Sequence, residues 1–172
     1  MMDDLPAIGH VISHGFLWKR EAEQGREEGR KDRPCVIVRV QELEGNERRV
    51  FVAPITHTAP AEKERAVEIP AATKRRLGLD DERSWLVTTE LNHFLWPGYD
   101  VRPTPDGRER YGTLSGSTLR STLEQIATNI RDRTLRMVDR DDEQDRARLN
   151  ELRERGPSLS SSRDRGNDDR ER

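Results

Sequence analysis

The sequence predicts a mainly β (α+β) fold, built as a small, strongly bent antiparallel sheet or partly open barrel. Short apolar runs rich in β-branched and aromatic residues alternate with turns that contain glycine or proline. Most of the connections are short enough to be hairpins, which join antiparallel strands. Only two segments carry a helical pattern, and strands and helices do not alternate as they do in a parallel sheet.

Five segments have the composition of strands. They are residues 8–18, with a bend expected at Gly15, and residues 35–40, 49–56, 67–69 and 85–90. The turn sequence Glu-Gly-Asn-Glu separates the second segment from the third, so we expect these two to pair in antiparallel fashion.

The charged stretch between the first two strands is interrupted by Gly25 and Gly29. Glycine in a helix interior costs about 1 kcal/mol relative to alanine. We therefore expect residues 19–32 to form a long hairpin connection rather than a stable helix.

Two helices are predicted. Residues 70–77 form a short internal helix, with proline in its first turn and glycine directly after it. Farther along, Leu119, Leu123, Ile126 and Ile130 recur at spacings of four, three and four, which indicates a C-terminal amphipathic helix with one buried face. We expect this second helix to lie across the sheet.

Composition divides the chain into two parts. Charged residues make up 37% of the whole and hydrophobic residues 31%, and residues 131–172 contain twelve Arg and twelve Asp plus Glu but only six large aliphatic residues. Such a stretch cannot bury enough apolar surface to offset the entropy lost on ordering it. We place a barrel domain with its closing helix at residues 5–137 and expect residues 138–172 to be a charged, disordered tail.

Charge and cysteine content exclude several classes of function. The net charge of -2 argues against a protein that coats duplex DNA, although a small basic groove could still bind nucleic acid. Cys35 is the only cysteine, which excludes an intramolecular disulfide and a cysteine-rich zinc site. No signal-peptide pattern or membrane-spanning stretch is present, so a cytoplasmic location is expected.

Polar side chains stand at the ends of two apolar strands. Arg33 comes directly before Pro34 at the start of the second strand, and Thr56 and His57 end the third. If these strands pair in antiparallel fashion, their polar ends meet at one edge of the sheet. A guanidinium beside a hydroxyl forms a plausible anion site.

The order of these segments resembles the PemK/MazF-like toxins of type II toxin–antitoxin systems. The likeness is carried by Gly-His-Val-Ile at 9–12, the charged loop, Lys-Asp-Arg-Pro-Cys-Val-Ile-Val at 31–38, Val-Ala-Pro-Ile-Thr at 52–56 and Trp-Leu-Val-Thr-Thr-Glu-Leu-Asn at 85–92. The resemblance implies an SH3-like barrel, usually a homodimer, that cleaves single-stranded RNA without a metal or other cofactor. It also implies neutralisation by a small cognate antitoxin.

The resemblance further implies catalytic roles for Arg33 and Thr56. Arginine can hold two phosphate oxygens at once, whereas threonine is a poor proton acceptor. The proton-transfer group is therefore sought among His14, His57, His93 and Glu90. We take His57 and Glu90 as the catalytic candidates, with the condition that Thr56 and His57 can share a site only if the strand ends at Thr56.

Cations and aromatic rings near the loops are candidates for RNA binding, because bases stack on aromatic side chains and phosphates attract cations. We assign Arg30, Lys31, His14, Trp18 and Trp96 to substrate binding. No metal site is predicted, because the four histidines lack the spacing of metal ligands. The alternative function is a non-catalytic SH3-like module that binds protein or RNA.

Overall fold

The computed structural model describes residues 5–29 and 31–156. It contains nine strands and four α-helices in this part of the chain, with short 3-10 turns between some of them. In chain order the elements are β1 (His10–His14), α1 (Lys19–Glu23), β2 (Arg33–Glu42), β3 (Arg48–Thr56), β4 (Ala66–Glu68), α2 (Ala71–Leu77), β5 (Trp85–Val87), β6 (Glu90–Leu95), β7 (Val101–Arg102), β8 (Gly112–Thr113), α3 (Gly116–Arg131), β9 (Arg136–Asp139) and α4 (Glu143–Arg155).

The strands form one bent sheet that does not close within the described residues. Its main order is β4-β5-β3-β2-β1-β7, with β6 also paired to β3 and β8 to β1. These pairs are all antiparallel, and β9 lies parallel to β6. The mainly β, α+β fold predicted from the sequence is therefore confirmed, in its partly open form.

The pair of β2 and β3 is the centre of the sheet and has the predicted antiparallel register. Cys35 lies opposite Pro54, and Val36 lies opposite Ala53. The turn between the strands needs left-handed backbone, which Gly45 adopts with a φ of 68°. A bulge after Ile37 adds to the bend of β2.

Apolar side chains cover both faces of the central strands. On one face α2 and α3 contribute Leu77 and Ile126 to a cluster with Val36. On the other face Phe16 and Phe94 pack against Ile37. The run 35–38 is therefore wholly buried, which explains why it is continuously apolar rather than alternating.

The buried face of α3 is rotated from the predicted one. Thr118, Thr122, Ile126 and Asn129 are buried, whereas Ile130 is 58% exposed. The polar members of this face are satisfied by hydrogen bonds: Thr122 Oγ1 donates to the Thr118 carbonyl at 2.8 Å, and Asn129 Nδ2 donates to the Thr88 carbonyl at 2.8 Å. Leu119 and Leu123 still pack against the core as partly buried residues, so the apolar spacing located the face in part and missed the polar groups that these bonds allow inside.

The connection between β1 and β2 differs in part from the prediction. It begins with the five-residue helix α1, which ends before Gly25. The backbone amide of Lys19 donates to Glu90 Oε1 at 2.9 Å, and this bond satisfies one of the free amides at the helix start. The rest of the connection contains no helix among its described residues.

Residues 138–156, which the sequence assigned to the charged tail, contain the end of β9 and helix α4. Strand β9 crosses the proposed boundary at residue 137, Arg140 and Asp141 are buried, and α4 follows. Asp142 begins α4 with a reciprocal capping box to Asp145. Residues 157–172 lie outside the described part, so that portion of the predicted tail stays a prediction. No helix in the described ranges is long and apolar enough to cross a membrane.

Candidate active site

A cleft with a volume of about 440 Å³ opens where β2 begins and β3 ends, and we name it the strand-end cleft. Residues from the charged connection, both strands and the segment after α2 meet there. Its lining consists of Trp18, Lys31, Asp32, Arg33, Pro34, Ile55, Thr56, His57, Thr58, Leu79, Asp80 and Ser84.

The sheet register brings Arg33 and Thr56 together. The pairing of Cys35 with Pro54, continued by two residues, places Arg33 opposite Thr56. Arg33 pairs on its other side with His14, and Thr56 pairs with Trp85. Both side chains line the strand-end cleft, as the antiparallel arrangement predicted.

Arg33 is partly buried against an aromatic ring. Its guanidinium carbon lies 5.2 Å from the ring centroid of Trp18. Its Nε is buried and has no hydrogen-bond partner among the described residues. A guanidinium that stacks on an indole and keeps donor capacity is suited to bind an anion in the cleft.

The hydroxyl of Thr56 is oriented by the chain that follows it. The backbone amide of Thr58 donates to Thr56 Oγ1 at 3.2 Å. Since the oxygen accepts this bond, the hydroxyl hydrogen is left to donate to another acceptor. Thr56 can thus donate a hydrogen bond to an anion beside Arg33.

His57 shares the cleft with Thr56 because β3 ends at Thr56 and strand alternation no longer applies. Its side chain is half exposed. Nε2 lies 2.8 Å from Asp80 Oδ2, and Nδ1 lies 3.2 Å from Glu82 Oε2. The condition set by the sequence for a shared site is met.

A buried cation binds the carboxylate oxygen of Asp80 that does not face His57. Lys74 is only 4% exposed, and its Nζ donates to Asp80 Oδ1 at 2.6 Å and to the Glu82 carbonyl. Burial acts to raise the pKa of Asp80, but the Lys74 hydrogen bond and the nearby charges of His57 and Lys74 outweigh it and lower that pKa. The carboxylate therefore keeps its charge beside His57.

Local sequence pattern does not single out Lys74, Asp80 and Glu82 as site residues. A lysine in a short helix is normally exposed, and an acidic run after a helix is normally a solvated turn. The one available signal was the glycine that ends α2, since Gly78 adopts a φ of 69° and turns the chain back toward the helix.

His14 does not line the strand-end cleft. It is fully buried, stacks on Phe94 at 4.8 Å between ring centroids, and shares a hydrogen bond with Asn92 through Nε2 at 3.2 Å. Burial, followed by the positive charge of Arg140, lowers the pKa of His14 to about 4. Its imidazole is neutral near pH 7 and is shielded from ligands.

Three further candidates also lie elsewhere. Glu90 lines a separate cleft and binds the start of α1. His93 contacts Arg49 at 2.9 Å, and burial lowers its pKa. Trp96 packs against the core cluster that contains Phe94. Lys31 and Trp18 do line the strand-end cleft, whereas Arg30 lies outside the described residues.

One group in the described part has the composition of a metal site. The ligand atoms of His57, Asp80 and Glu82 lie within 4.8 Å of one another, so they could reach one divalent cation. All three side chains are exposed, and the other oxygen of Asp80 already binds the Lys74 ammonium. The ammonium lowers the negative charge that would attract a cation.

Comparison with known proteins agrees with the sequence resemblance. Residues 16–94 match the family of PemK-like, MazF-like toxins of type II toxin–antitoxin systems. The matched segment contains β2, β3, α2 and every described residue that lines the strand-end cleft. No match was found among curated proteins. The predicted resemblance is therefore confirmed: residues 16–94 of this chain are similar to the PemK-like, MazF-like toxins of type II toxin–antitoxin systems.

Proposed function

We propose that this protein is a metal-independent endoribonuclease that cleaves single-stranded RNA through attack of the ribose 2′-hydroxyl. The observation that carries the proposal is the meeting of Arg33, Thr56 and His57 in one solvent-accessible cleft. These residues supply a cation, a hydroxyl donor and a group able to exchange protons. Their combination matches the needs of phosphodiester cleavage better than those of a passive binding surface.

Arg33 and Thr56 stabilise the phosphate as the reaction proceeds. The 2′-oxygen forms a bond to phosphorus while the bond from phosphorus to the 5′-oxygen breaks, and negative charge builds on the non-bridging oxygens. A guanidinium and a hydroxyl donor placed at these oxygens favour the transition state over the ground state. The expected products are a 2′,3′-cyclic phosphate and a free 5′-hydroxyl.

His57 is the proton-transfer group in this proposal. It is the one member of the set His14, His57, His93 and Glu90 that lines the strand-end cleft. An imidazole exchanges protons near neutral pH, which neither Arg33 nor Thr56 can do. Glu90, in a separate cleft, has no part in the proposed step.

Trp18 and Lys31 form the proposed binding surface for the nucleotides beside the cleaved bond. Both line the strand-end cleft next to Arg33. An indole offers a stacking face for a base, and an ammonium attracts the neighbouring phosphate. Arg30 precedes Lys31 in the chain and stays a predicted phosphate contact.

Cleavage of single-stranded RNA in EDTA tests the proposal. We expect wild-type protein to cut RNA but not DNA of the same sequence, because DNA lacks the attacking hydroxyl. Arg33→Ala and Thr56→Val should each reduce the rate by about 100-fold or more. Thr56→Ser keeps the hydroxyl and should retain most activity, and Arg120→Ala on the exposed face of α3 is the control for loss of a surface cation.

Absence of RNA cleavage by the wild-type protein, or full activity in Arg33→Ala, would refute the endoribonuclease assignment. Tight RNA or protein binding that persists without cleavage would instead support the non-catalytic module.

The proposal includes a homodimer and a small antitoxin that blocks the strand-end cleft. Light scattering of the purified protein tests the dimer, and co-expression with an antitoxin encoded beside it tests neutralisation. We expect growth arrest on expression of the wild-type chain alone and normal growth with the antitoxin or with Arg33→Ala. Growth arrest by Arg33→Ala would separate toxicity from the proposed cleavage.

A further inference from the structure

We propose that Asp80, anchored by the buried Lys74, positions His57 to act as the general acid that protonates the leaving 5′-oxygen. This inference rests on the proposed endoribonuclease function and assigns the direction of proton transfer within it. It is carried by the hydrogen bond from Lys74 to Asp80 and the ion-pair contact of Asp80 with His57, together with the smaller exposure of the Asp80 side chain (53%) than of the Glu82 side chain (73%).

Asp80 has the contacts of a fixed support. Its Oδ1 accepts from Lys74 Nζ at 2.6 Å and from the backbone amide of Glu82 at 3.1 Å. Its Oδ2 is thereby directed to His57 Nε2 at 2.8 Å. Because Lys74 is 4% exposed, loss of Asp80 would leave a buried ammonium without its carboxylate. These contacts hold the imidazole ring of His57 in place and leave Nδ1 as the nitrogen that faces away from Asp80.

The other nitrogen of His57 faces a carboxylate that can be displaced. Nδ1 lies 3.2 Å from Glu82 Oε2, and the Glu82 side chain is 73% exposed. In the proposed step the ring acts in the form that carries a hydrogen on each nitrogen, with Nε2 facing Asp80 and Nδ1 facing Glu82. An incoming phosphodiester that displaces Glu82 meets the Nδ1 hydrogen while Asp80 keeps the ring in place.

The step then balances in protons and bonds. The 2′-hydroxyl loses its proton to water as its oxygen bonds to phosphorus. The bond to the 5′-oxygen breaks, and that oxygen takes the Nδ1 hydrogen of His57. The neutral imidazole stays bound to Asp80 through Nε2 and regains a proton from water after the product leaves. Asp80 and Lys74 are positioning residues, because neither touches the reacting atoms.

An RNA with a leaving group that needs no proton tests this assignment. The substrate carries sulfur in place of the 5′-bridging oxygen at the linkage that wild-type protein cuts. A thiolate leaves without protonation, so a general acid contributes nothing to its departure. On ordinary RNA we expect kcat to fall by about 100-fold or more in His57→Gln and about tenfold or more in Asp80→Asn, with KM changed less than threefold.

On the sulfur substrate both variants should cleave within about threefold of the wild-type rate. Asp81→Asn is the matched control, since it removes a neighbouring exposed carboxylate and should match wild type on both substrates. Arg33→Ala should stay defective on both, because it acts on the non-bridging oxygens.

Two results would overturn the inference. Wild-type kcat for Asp80→Asn on ordinary RNA would show that Asp80 does not position His57. An equal defect of His57→Gln on both substrates would show that His57 is not the acid. Both outcomes are distinct from failure of the proposed function, in which the wild-type protein itself would not cleave RNA.

Discussion

Two regions of the molecule combine a histidine, an aspartate and a buried cation, yet they differ in what the histidine can do. In the strand-end cleft the cluster is His57, Asp80 and Lys74, and the imidazole is half exposed. In the interior the cluster is His14, Asp100 and Arg140, and the imidazole is fully buried. We call them the cleft cluster and the interior cluster.

The position of the cation explains the difference. In the cleft cluster Lys74 lies behind Asp80, so the carboxylate separates the ammonium from His57. In the interior cluster the positive charge of Arg140 acts directly on His14 and, after burial, helps to keep it neutral. Lys74 is therefore kept apart from His57 by a carboxylate, whereas Arg140 acts on His14 without a carboxylate between them.

Arg140 also links the interior cluster to neighbouring segments through hydrogen bonds. It donates to the Gly15 carbonyl at 2.6 Å, to the Glu27 carbonyl at 3.1 Å, and to Asp100. These groups belong to the charged connection and to the loop before β7, so one guanidinium from the segment after β9 ties both to the sheet. The connection it holds also carries Trp18 and Lys31 to the strand-end cleft.

The largest effect is expected on removing Arg140. Arg140→Met leaves the buried Asp100 with only the longer contact to Arg102, at 3.9 Å, and removes the donor to the two carbonyls, so the free energy of unfolding should fall by about 3–5 kcal/mol. Chemical denaturation measures the change. Arg136→Met, an exposed site on the preceding strand β9, is the control and should stay within about 0.5 kcal/mol of wild type. A decrease of less than about 1 kcal/mol in the free energy of unfolding of Arg140→Met would contradict the proposed role of Arg140 in linking these segments.

The next effect is a pH dependence from His14. Its pKa is about 4 in the folded protein against an ordinary value of 6.5, so the unfolded chain binds more protons between these limits. The contribution of His14 to stability is therefore full above pH 6.5 and is lost as the pH falls toward 4, by about 3 kcal/mol in total. Denaturation across this range should show a shallower dependence in His14→Gln than in wild type, and equal slopes would contradict the assignment.

Truncation separates the interior cluster from the helix that follows it. A chain that ends after residue 142 keeps Arg140 and loses α4, whose Leu149 and Leu152 lie against the β2–β3 turn region in a shallow groove. These leucines are only partly buried, so we expect a loss of about 1–2 kcal/mol in unfolding free energy. A chain that ends after residue 138 should lose at least as much as Arg140→Met. Equal stability of the two truncated chains would show that Arg140 adds nothing to stability and that α4 alone holds the segment after β9.

The sequence was informative where local pattern sets the geometry. The antiparallel pairing of β2 and β3 follows from two apolar runs and a short turn, and it brings Arg33 and Thr56 to one edge. The end of β3 at Thr56, which admits His57 to the cleft, depends on pairing with β5 some thirty residues later. Local sequence pattern therefore allowed His57 to share a site with Thr56 but could not show that it does.

Buried charge escaped sequence reasoning for a physical reason. Lys74 and Arg140 are buried because each finds a carboxylate in three dimensions, at Asp80 and at Asp100. Nothing in the composition around either residue distinguishes it from an exposed cation, since the stabilising partner of Arg140 lies forty residues away. Charge content alone therefore did not reveal the buried Arg140 and Asp141 within residues 138–156, whereas the apolar strands were predicted from their pattern.

The smallest effect on stability is expected at His57, and it sharpens the contrast with His14. His57 is half exposed and its contacts with Asp80 and Glu82 are surface ion pairs, which contribute little to stability. His57→Gln should change the free energy of unfolding by no more than about 0.5 kcal/mol at pH 7 while it abolishes most RNA cleavage. Denaturation and cleavage measured on the same preparation give both values. A large loss of stability in His57→Gln would mean that the cleft cluster, like the interior cluster, holds its histidine for structure, because the contacts of a half-exposed imidazole that serves proton transfer contribute little to folding.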